Sequence, residues 1–480
     1  MTKKIIESKK AHLIGICGKG MSALALILKQ KGWAVTGSDE GFYDPIYGML
    51  KKNKIKVMFP YSAKNIPKDA SLIVTGGKFV NFSPEKNEEV RITFARGKKI
   101  KSVPEVLARL AGKTENTIVA GSSGKSTTTA LLSWCLINSK KDPSYFIGAA
   151  PIGFKKNAHI GKSKHFIMEG DEYPSSNWDN TSKFLHLRPK NLILISAEHD
   201  HINAFPTEKS YLKPYQKLIS ILPKNGLIIA NSQGKNIGNV VKNAKCKTVN
   251  YSLRKKSSWH AENIIYGEKT SFDLFKNTKK IINLETILLG NHNIENIIGV
   301  SVFLLEKNLI TKEELKRAVK TFKGLSGRLD LKTKKSSVLV YEGFGSSYAK
   351  AKSVFNALKL HFPNKKIISV FEPHSSSWSN TLAKKWYKNI FNGIDEIIML
   401  PPPAYRAKNP NQMTFKEIIK EVKKHNKKTY KTENEKEVLA LLKKKTKRDN
   451  IIVLVSSGSL YGLAASVPRL MEKIFPKKLS

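Results

Sequence analysis

The most constraining stretch of this chain is Gly121-Ser122-Ser123-Gly124-Lys125-Ser126-Thr127-Thr128-Thr129. It follows the short apolar run 117–120 and leads into a helical pattern through Leu131, Leu132 and Trp134. Strand, glycine loop and helix in that order make a phosphate-binding loop. The glycines let backbone N–H groups close around phosphate oxygens, and the helix N-terminus adds positive potential. Lys125 can then reach the β- and γ-phosphates, while the Ser126 hydroxyl can ligate Mg²⁺. The full GxxxxGK[ST] form is not met, because Val119 stands where its first glycine would be. The candidate ATP-binding residues are Gly121, Ser122, Ser123, Gly124, Lys125, Ser126 and Thr127. Lys125→Ala is expected to remove activity and leave the fold intact.

A loop of this kind belongs to an α/β fold, and the rest of the chain reads that way. The apolar runs 12–16, 35–39 and 71–75 are strands, with a helical pattern from Met21 to Leu28 that stops at Gly32. Further strands are expected at 166–168, 192–195 and 227–230, then at 338–341, 367–371, 396–400 and 451–455. Strands alternating with helices predict parallel sheets covered on their faces. At 480 residues the chain is too long for one ordinary domain. Three blocks are expected, at 1–112, 113–325 and 326–480. Thr414-Phe415-Lys416-Glu417 has the form of a capping box opening a helix, and the basic run 443–448 reads as a loop or helix end.

Two clusters fall at strand ends near the phosphate loop. Glu169-Gly170-Asp171-Glu172 follows one strand and Glu198-His199-Asp200-His201 another. Carboxylate and imidazole groups beside a phosphate loop suit a second Mg²⁺ or Mn²⁺. The expectation is that Glu169 and His201 hold one divalent cation there. A separate glycine turn, Gly15-Ile16-Cys17-Gly18-Lys19-Gly20, joins the first strand to its helix, and Asp39 ends the next strand. That is nucleotide-binding geometry, with a pyrophosphate at the helix N-terminus and a carboxylate near a ribose. Its G-x-x-G-x-G spacing does not point to a redox dinucleotide.

Charge adds a competing reading. The formal net charge of +46 and a phosphate loop together suggest a nucleic-acid-stimulated ATPase. Only 10 of the 84 basic residues are arginine, however, and the lysines spread along the whole chain. Arginine is the residue favoured for bidentate phosphate and base contacts. A coding bias toward A/T-rich codons explains the lysines better, and no specific nucleic-acid partner is expected. Cys17, Cys135 and Cys246 are isolated, which excludes a disulfide framework and a cysteine metal knuckle. No apolar run approaches the ~20 residues of a membrane helix, and the basic start leads into no signal core. A cytoplasmic monomer without membrane insertion is expected.

Six ordered motifs resemble the Mur ligases, the ATP-dependent amide ligases of peptidoglycan synthesis. Gly15 to Ser22 is similar to the family's first loop, which implies UDP-sugar contacts from Gly18, Lys19, Gly20, Met21, Ser22 and Asp39. Gly121 to Thr129 resembles G-T-x-G-K-[ST]-T, with Ser122 for the usual threonine. Glu169-Gly170-Asp171-Glu172-Tyr173 looks like E-A-D-E-[SY], and Ala197 to His201 is similar to E-x-D-H. The resemblance thus implies Ser126, Glu169 and His201 as magnesium ligands, with two ions. Gly290-Asn291-His292-Asn293-Ile294-Glu295-Asn296 matches G-x-H-N-x-x-N, which implies that Asn293 and Asn296 face the adenine. Phe322 to Arg328 resembles F-x-G-x-x-[RK]-R, which implies Arg328 on the ATP phosphates. The fold implied is a Rossmann-like UDP-binding domain, a phosphate-loop central domain and a Rossmann-like acceptor-binding domain.

The implied reaction joins the lactyl carboxylate of UDP-N-acetylmuramate to an amine through an acyl phosphate. Lys125, Glu169, His201 and Arg328 are the catalytic candidates. Two family members share the E-A-D-E form, one adding L-alanine and one reattaching a salvaged murein tripeptide. Four stretches lean to the tripeptide enzyme: 15–18, 39–45, 182–189 and 456–459. The third block departs from the pattern. Where Asp-Asp-[YF]-[GA]-His-His-Pro is usual, this chain has Glu342-Gly343-Phe344-Gly345-Ser346-Ser347-Tyr348. Pro373-His374-Ser375-Ser376-Ser377-Trp378 replaces the alanine enzyme's P-H-R-Y-T-R, so Glu342, Ser346, His374 and Ser375 become the acceptor candidates. Hydroxyls and an indole there suit a peptide groove more than a small zwitterion, unless Arg406 supplies a guanidinium from another loop. Gln216 stands where several relatives carry a carbamylated lysine. A folate-type ligase, which starts directly at the phosphate loop, fits less well, and a pseudo-enzyme with lost acceptor chemistry is a further alternative.

Overall fold

A computed structural model describes residues 9–42, 46–201, 203–403 and 411–477. The chain forms two compact units. One comprises 1–263, 272–284 and 294–322, and the other 264–271, 285–293 and 323–480.

The first unit opens with a five-stranded parallel sheet in the order Lys56–Met58, Ala34–Ser38, Lys10–Ile14, Leu72–Thr75, Ile100–Ser102. The first strand ends at Ile14, two residues earlier than its apolar run, because Gly15 turns the backbone at φ +81°. The helix Lys19–Gln30 then buries a continuous run from Met21 to Leu28. It stops where Gly32 takes a left-handed φ of +79°, as its position in the sequence predicts. The helix Val103–Ala111 starts on a capping box of Ser102 and Glu105, with Pro104 in its first turn.

A ten-stranded sheet follows. Its parallel centre runs Lys247–Tyr251, Leu227–Asn231, Asn191–Leu194, Glu115–Ala120, His165–Gly170, Ser144–Phe146. Glu115–Ala120 lies between two neighbours in register: Ala120 pairs with Leu194 on one side and Gly170 on the other. Three loops therefore leave the same carboxyl edge together. Glu169 lies inside its strand rather than after it, since His165–Gly170 outlasts the apolar run by two residues. The strands Trp259–Ile265, Thr270–Lys276 and Lys279–Thr286 extend the sheet at one side. Their mixed polar faces hid them from a search for short apolar runs.

The second unit has a six-stranded sheet in the order Asp330–Leu331, Leu339–Phe344, Ile451–Ser456, Ile367–Phe371, Glu396–Met399, Thr429–Lys431. Only the first pairing is antiparallel. Glu342 is thus a strand residue. The predicted capping box is formed by Thr414 and Glu417 at the start of the helix Phe415–His425. Of the basic run, Lys443, Lys444 and Lys445 make the last turn of the helix Glu435–Lys445, where positive charge suits the helix dipole.

Candidate active site

The phosphate loop leaves the strand Glu115–Ala120 at Gly121 and enters the helix Lys125–Asn138 through Gly124. Gly124 sits at φ +80°, and a Cβ there would lie 2.7 Å from Asn296 Oδ1. Both facts demand glycine. The helix buries Ser126, Thr128 and Thr129 beside its apolar residues, so the threonine run is part of the packing. Ser122 is drawn backward rather than outward, its hydroxyl donating to the Glu198 carbonyl at 2.6 Å.

Lys125 Nζ donates to the Gly121 carbonyl at 2.6 Å and to Glu172 Oε2 at 2.9 Å. Burial pushes the ammonium down, but the carboxylates of Glu172, Asp171 and Glu169 outweigh it and hold Lys125 above the ordinary lysine range. Lys125 stays charged at any working pH. Glu172 is completely buried and accepts from the Tyr211 hydroxyl at 3.2 Å, with His201 Nε2 at 3.5 Å. Tyr211 in turn lies 3.1 Å from both the Ser122 hydroxyl and the Tyr215 hydroxyl. Burial, reinforced by the Glu172 charge, raises both phenols far above the ordinary tyrosine range.

Each of the two cation-site candidates is engaged by a neighbouring side chain. Ser126 Oγ donates to Glu169 Oε1 at 2.8 Å, and the Gly148 N–H donates to Glu169 Oε2 at 2.8 Å. His201, at a left-handed φ of +57°, pairs instead with Glu172. Glu169 and His201 thus have different side-chain partners, Ser126 and Glu172. Among the described residues no group of three His, Cys, Asp or Glu is placed to hold a metal. Mg²⁺ is commonly held by one or two protein oxygens, with water and substrate phosphate completing its octahedron, and Ser126 Oγ with Glu169 Oε1 would supply such a pair.

Tyr211 and Tyr215 escaped sequence reasoning as site residues, and Glu172 was seen only as part of its acidic cluster, not as the partner of Lys125. The one available signal was helical spacing: Tyr211 and Tyr215 stand four apart on the helix Glu208–Ser220, on its buried face. Gln216 is exposed, so the tyrosines, not the glutamine, occupy this side of the site. The pairing of Lys125 with a fully buried carboxylate adds an expected cost in stability to the expected loss of activity in Lys125→Ala.

Asn296 is buried against Gly124. Asn293 is also buried, its amide donating to the Leu289 carbonyl at 2.8 Å. In the second unit the Arg328 guanidinium stacks over the Phe344 ring at 4.8 Å. Glu342 pairs with Lys332 at 2.8 Å. Ser375 donates to the Ser346 carbonyl at 2.7 Å, and His374 Nδ1 lies 3.4 Å from the Ser457 hydroxyl. The loops carrying Ser346, His374 and Ser457 follow three adjacent parallel strands. The indole of Trp378 does not join them. It is fully buried and donates to the Gly345 carbonyl at 2.7 Å, because so large an apolar ring gains more from the core than from a wet groove. Arg406 and the 43–45 part of the stretch 39–45 lie outside the described residues.

The first glycine turn closes on Asp39. Its Oδ2 accepts from the Cys17 N–H at 2.7 Å and its Oδ1 from the Glu40 N–H at 2.8 Å. The carboxylate thus shapes the turn, whatever else it meets. Met21 and Ser22 are buried, and the Ser22 hydroxyl bonds back to the Lys19 carbonyl at 3.1 Å. What these positions offer a ligand is the first-turn N–H groups of Lys19, Gly20 and Met21 at the helix start. The turn borders a cavity of about 480 Å³ lined also by Tyr61, Asn81 and Phe82.

A phosphate loop on a parallel sheet, with a largely buried lysine and two neighbouring side-chain oxygens at the carboxyl edge, defines a nucleotide-dependent phosphoryl-transfer protein. The Mur ligase middle domain matches residues 119–304, and the Mur ligase family catalytic domain matches residues 10–114. The UDP-N-acetylmuramate–L-alanine ligase of Clostridium acetobutylicum is 27% identical over 457 residues, spanning 95% of this chain and 96% of that protein. The crystal structure of UDP-N-acetylmuramate-alanine ligase from Thermotoga maritima superposes with a TM-score of 0.76 at 20% identity, covering 97% of this chain and 98% of that one. A murein peptide ligase structure from Psychrobacter arcticus gives 0.68 at 21% identity, covering 98% and 100%. The chain belongs to the Mur ligase family, the ATP-dependent amide ligases of peptidoglycan synthesis, and has that family's three-domain α/β architecture.

Proposed function

We propose that this chain joins the lactyl carboxylate of UDP-N-acetylmuramate to the amine of L-alanine, with ATP converted to ADP and phosphate. The observation that carries the phosphoryl-transfer half is Lys125 held beside Gly121 at the head of its helix, charged and largely buried. In this reading a carboxylate oxygen attacks the γ-phosphorus of ATP and ADP leaves. The amine then attacks the carbonyl carbon and loses a proton, and phosphate leaves with the former carboxylate oxygen. Lys125 neutralises the transferring group, and the first-turn N–H groups of its helix bind the β-phosphate. Ser126 and Glu169 would hold one Mg²⁺ or Mn²⁺, and His201 a second. Such an ion would neutralise phosphate charge and orient the reacting oxygens. Arg328, Asn293 and Asn296 are assigned to ATP. The Gly18–Met21 turn is assigned to the UDP sugar, and the three domains to 1–112, 113–325 and 326–480.

Two observations favour L-alanine over the tripeptide that the four motif stretches suggested. The relative matched over 95% of the chain bears the name of an L-alanine ligase. The peptide-groove argument also needed the indole of Trp378, which is fully buried. Ser346, Ser375 and His374 remain the acceptor candidates. Phosphate release with UDP-N-acetylmuramate, Mg²⁺ and ATP tests the choice, comparing L-alanine with L-Ala-γ-D-Glu-diamino acid. The expected result is a kcat/KM for alanine at least about tenfold higher, or roughly 1.4 kcal/mol of transition-state binding. A tenfold preference for the tripeptide would restore the other acceptor.

A further inference from the structure

The first unit contains a second large concavity on the side away from the phosphate loop. Its volume is about 940 Å³, and it is bordered by Lys9, Lys31, Trp33, Lys101, Arg109 and Arg188 among others. Lys9 precedes the strand Lys10–Ile14, Trp33 precedes Ala34–Ser38, and Arg188 precedes Asn191–Leu194. The cavity therefore opens at the amino ends of both parallel sheets, whereas Gly15–Gly20, Gly121–Lys125 and His201 all follow carboxyl ends. A strand of five residues separates the two edges by roughly 17 Å. It is a different site from the one already described.

Its chemistry is one-sided. Glu105 is the only carboxylate on its wall, and that group is already engaged, pairing with Lys101 at 2.7 Å and capping Ser102 at 2.8 Å. Lys9, Lys31 and Arg188 form no ion pair among the described residues. Cations lining one low-dielectric concavity focus a positive potential into it. Leu28 and Val106 give it an apolar floor, and the half-buried Trp33 ring an aromatic wall. The volume is that of a site for a small organic ligand.

Arg188 is the part that packing alone does not require. Its backbone is left-handed, at φ +48°, a conformation that costs a non-glycine residue about 1–2 kcal/mol. The buried side chain of Asn116 fastens this turn, donating to the Leu187 carbonyl at 2.8 Å and the Arg188 carbonyl at 3.2 Å. Glycine would relieve the strain. A long cation is kept there instead, at the mouth of a basic cavity, and strain held against a cost is a pointer to a binding role.

We infer that this cavity is a second binding site, for an organic phosphate carrying a flat ring, a nucleotide being the simplest. Lys9, Lys31 and Arg188 meet the phosphates and Trp33 stacks on the ring. The test counts ADP bound per chain by equilibrium dialysis, with UDP-N-acetylmuramate saturating. Wild type should bind one ADP beyond those held by the Lys31→Glu/Arg188→Gly double variant, whose ligase turnover should be unchanged. Trp33→Leu should weaken that extra ADP at least tenfold. Equal stoichiometry in wild type and the double variant would overturn the site. Displacement of the extra ADP by pyrophosphate with unchanged affinity in Trp33→Leu would overturn the ring contact, and with it the nucleotide.

Discussion

Lys125→Ala separates what the lysine does for the fold from what it does for chemistry. Glu172 is wholly buried and Lys125 nearly so, with 14% of its side chain exposed, and their charged atoms stand 2.9 Å apart. Removing one partner of a buried pair costs about 3–5 kcal/mol, because the other charge remains without its counter-ion. Tyr211 and His201 still face Glu172, so the lower end, about 3 kcal/mol, is expected. Amides of the strand Glu115–Ala120 exchange when this unit opens, and 3 kcal/mol corresponds to roughly 150-fold faster exchange. Hydrogen exchange read by mass spectrometry should show that acceleration. Adding Glu172→Gln, which removes the stranded charge, should return exchange to within about tenfold of wild type. Ligase turnover should fall by at least about 10²–10³ in both variants, since the transition-state charge has lost its partner in each. A single variant with wild-type exchange, or a double variant no better than the single, would refute the argument.

Other outcomes follow from the same geometry. Glu169→Gln should raise the Mg²⁺ concentration needed for half-maximal phosphate release by about 10–100-fold, with ATP affinity at saturating Mg²⁺ little changed. Gly124→Ala puts a Cβ 2.7 Å from Asn296 Oδ1 at a φ of +80°, so ADP binding measured by calorimetry should weaken at least tenfold. Trp378→Ala should destabilise the second unit by about 3–5 kcal/mol in urea titrations while leaving the ratio of alanine to tripeptide use unchanged. His361 donates from Nδ1 to the Gly267 carbonyl and accepts the Gly290 N–H at Nε2, both at 2.8 Å. Burial holds its pKa below the ordinary value of about 6.5. The unfolded chain therefore takes up the proton first as pH falls. The stabilisation is complete above about pH 6.5 and declines below it by up to about 1.4 kcal/mol per pH unit. Urea midpoints of the second unit between pH 7 and 5 should show this slope, and His361→Gln should flatten it.

How much of this could be read in the chain depended on how local each signal was. Gly121 to Thr129 announced its loop because glycine at φ > 0, a lysine and a hydroxyl are needed within a few consecutive residues. The strands beside it were visible because strands buried on both faces are continuous apolar runs. Trp259–Ile265 and its neighbours mix buried residues with half-buried and exposed ones, so they carry no continuous apolar run. The Tyr211–Glu172–Lys125 network joins residues up to 86 apart, a separation that only the sheet's register resolves. Trp378 was misread for a related reason. Three serines precede it and a fourth follows, so the local composition looks like an exposed loop, yet the ring folds back beneath Gly345. Asp39 was found by spacing, but its two backbone partners are visible only in three dimensions.

The central claim is that phosphate leaves carrying an oxygen from the carboxylate it activated. UDP-N-acetylmuramate labelled with ¹⁸O in its lactyl carboxylate, incubated with this protein, ATP, Mg²⁺ and L-alanine, makes that oxygen countable by mass spectrometry of the released phosphate. The account predicts one ¹⁸O per phosphate, with the remaining label in the new amide and ADP unlabelled. Phosphate released without ¹⁸O while amide accumulates would contradict it, because the carboxylate would then have been activated by some route other than attack on the γ-phosphorus held at Lys125.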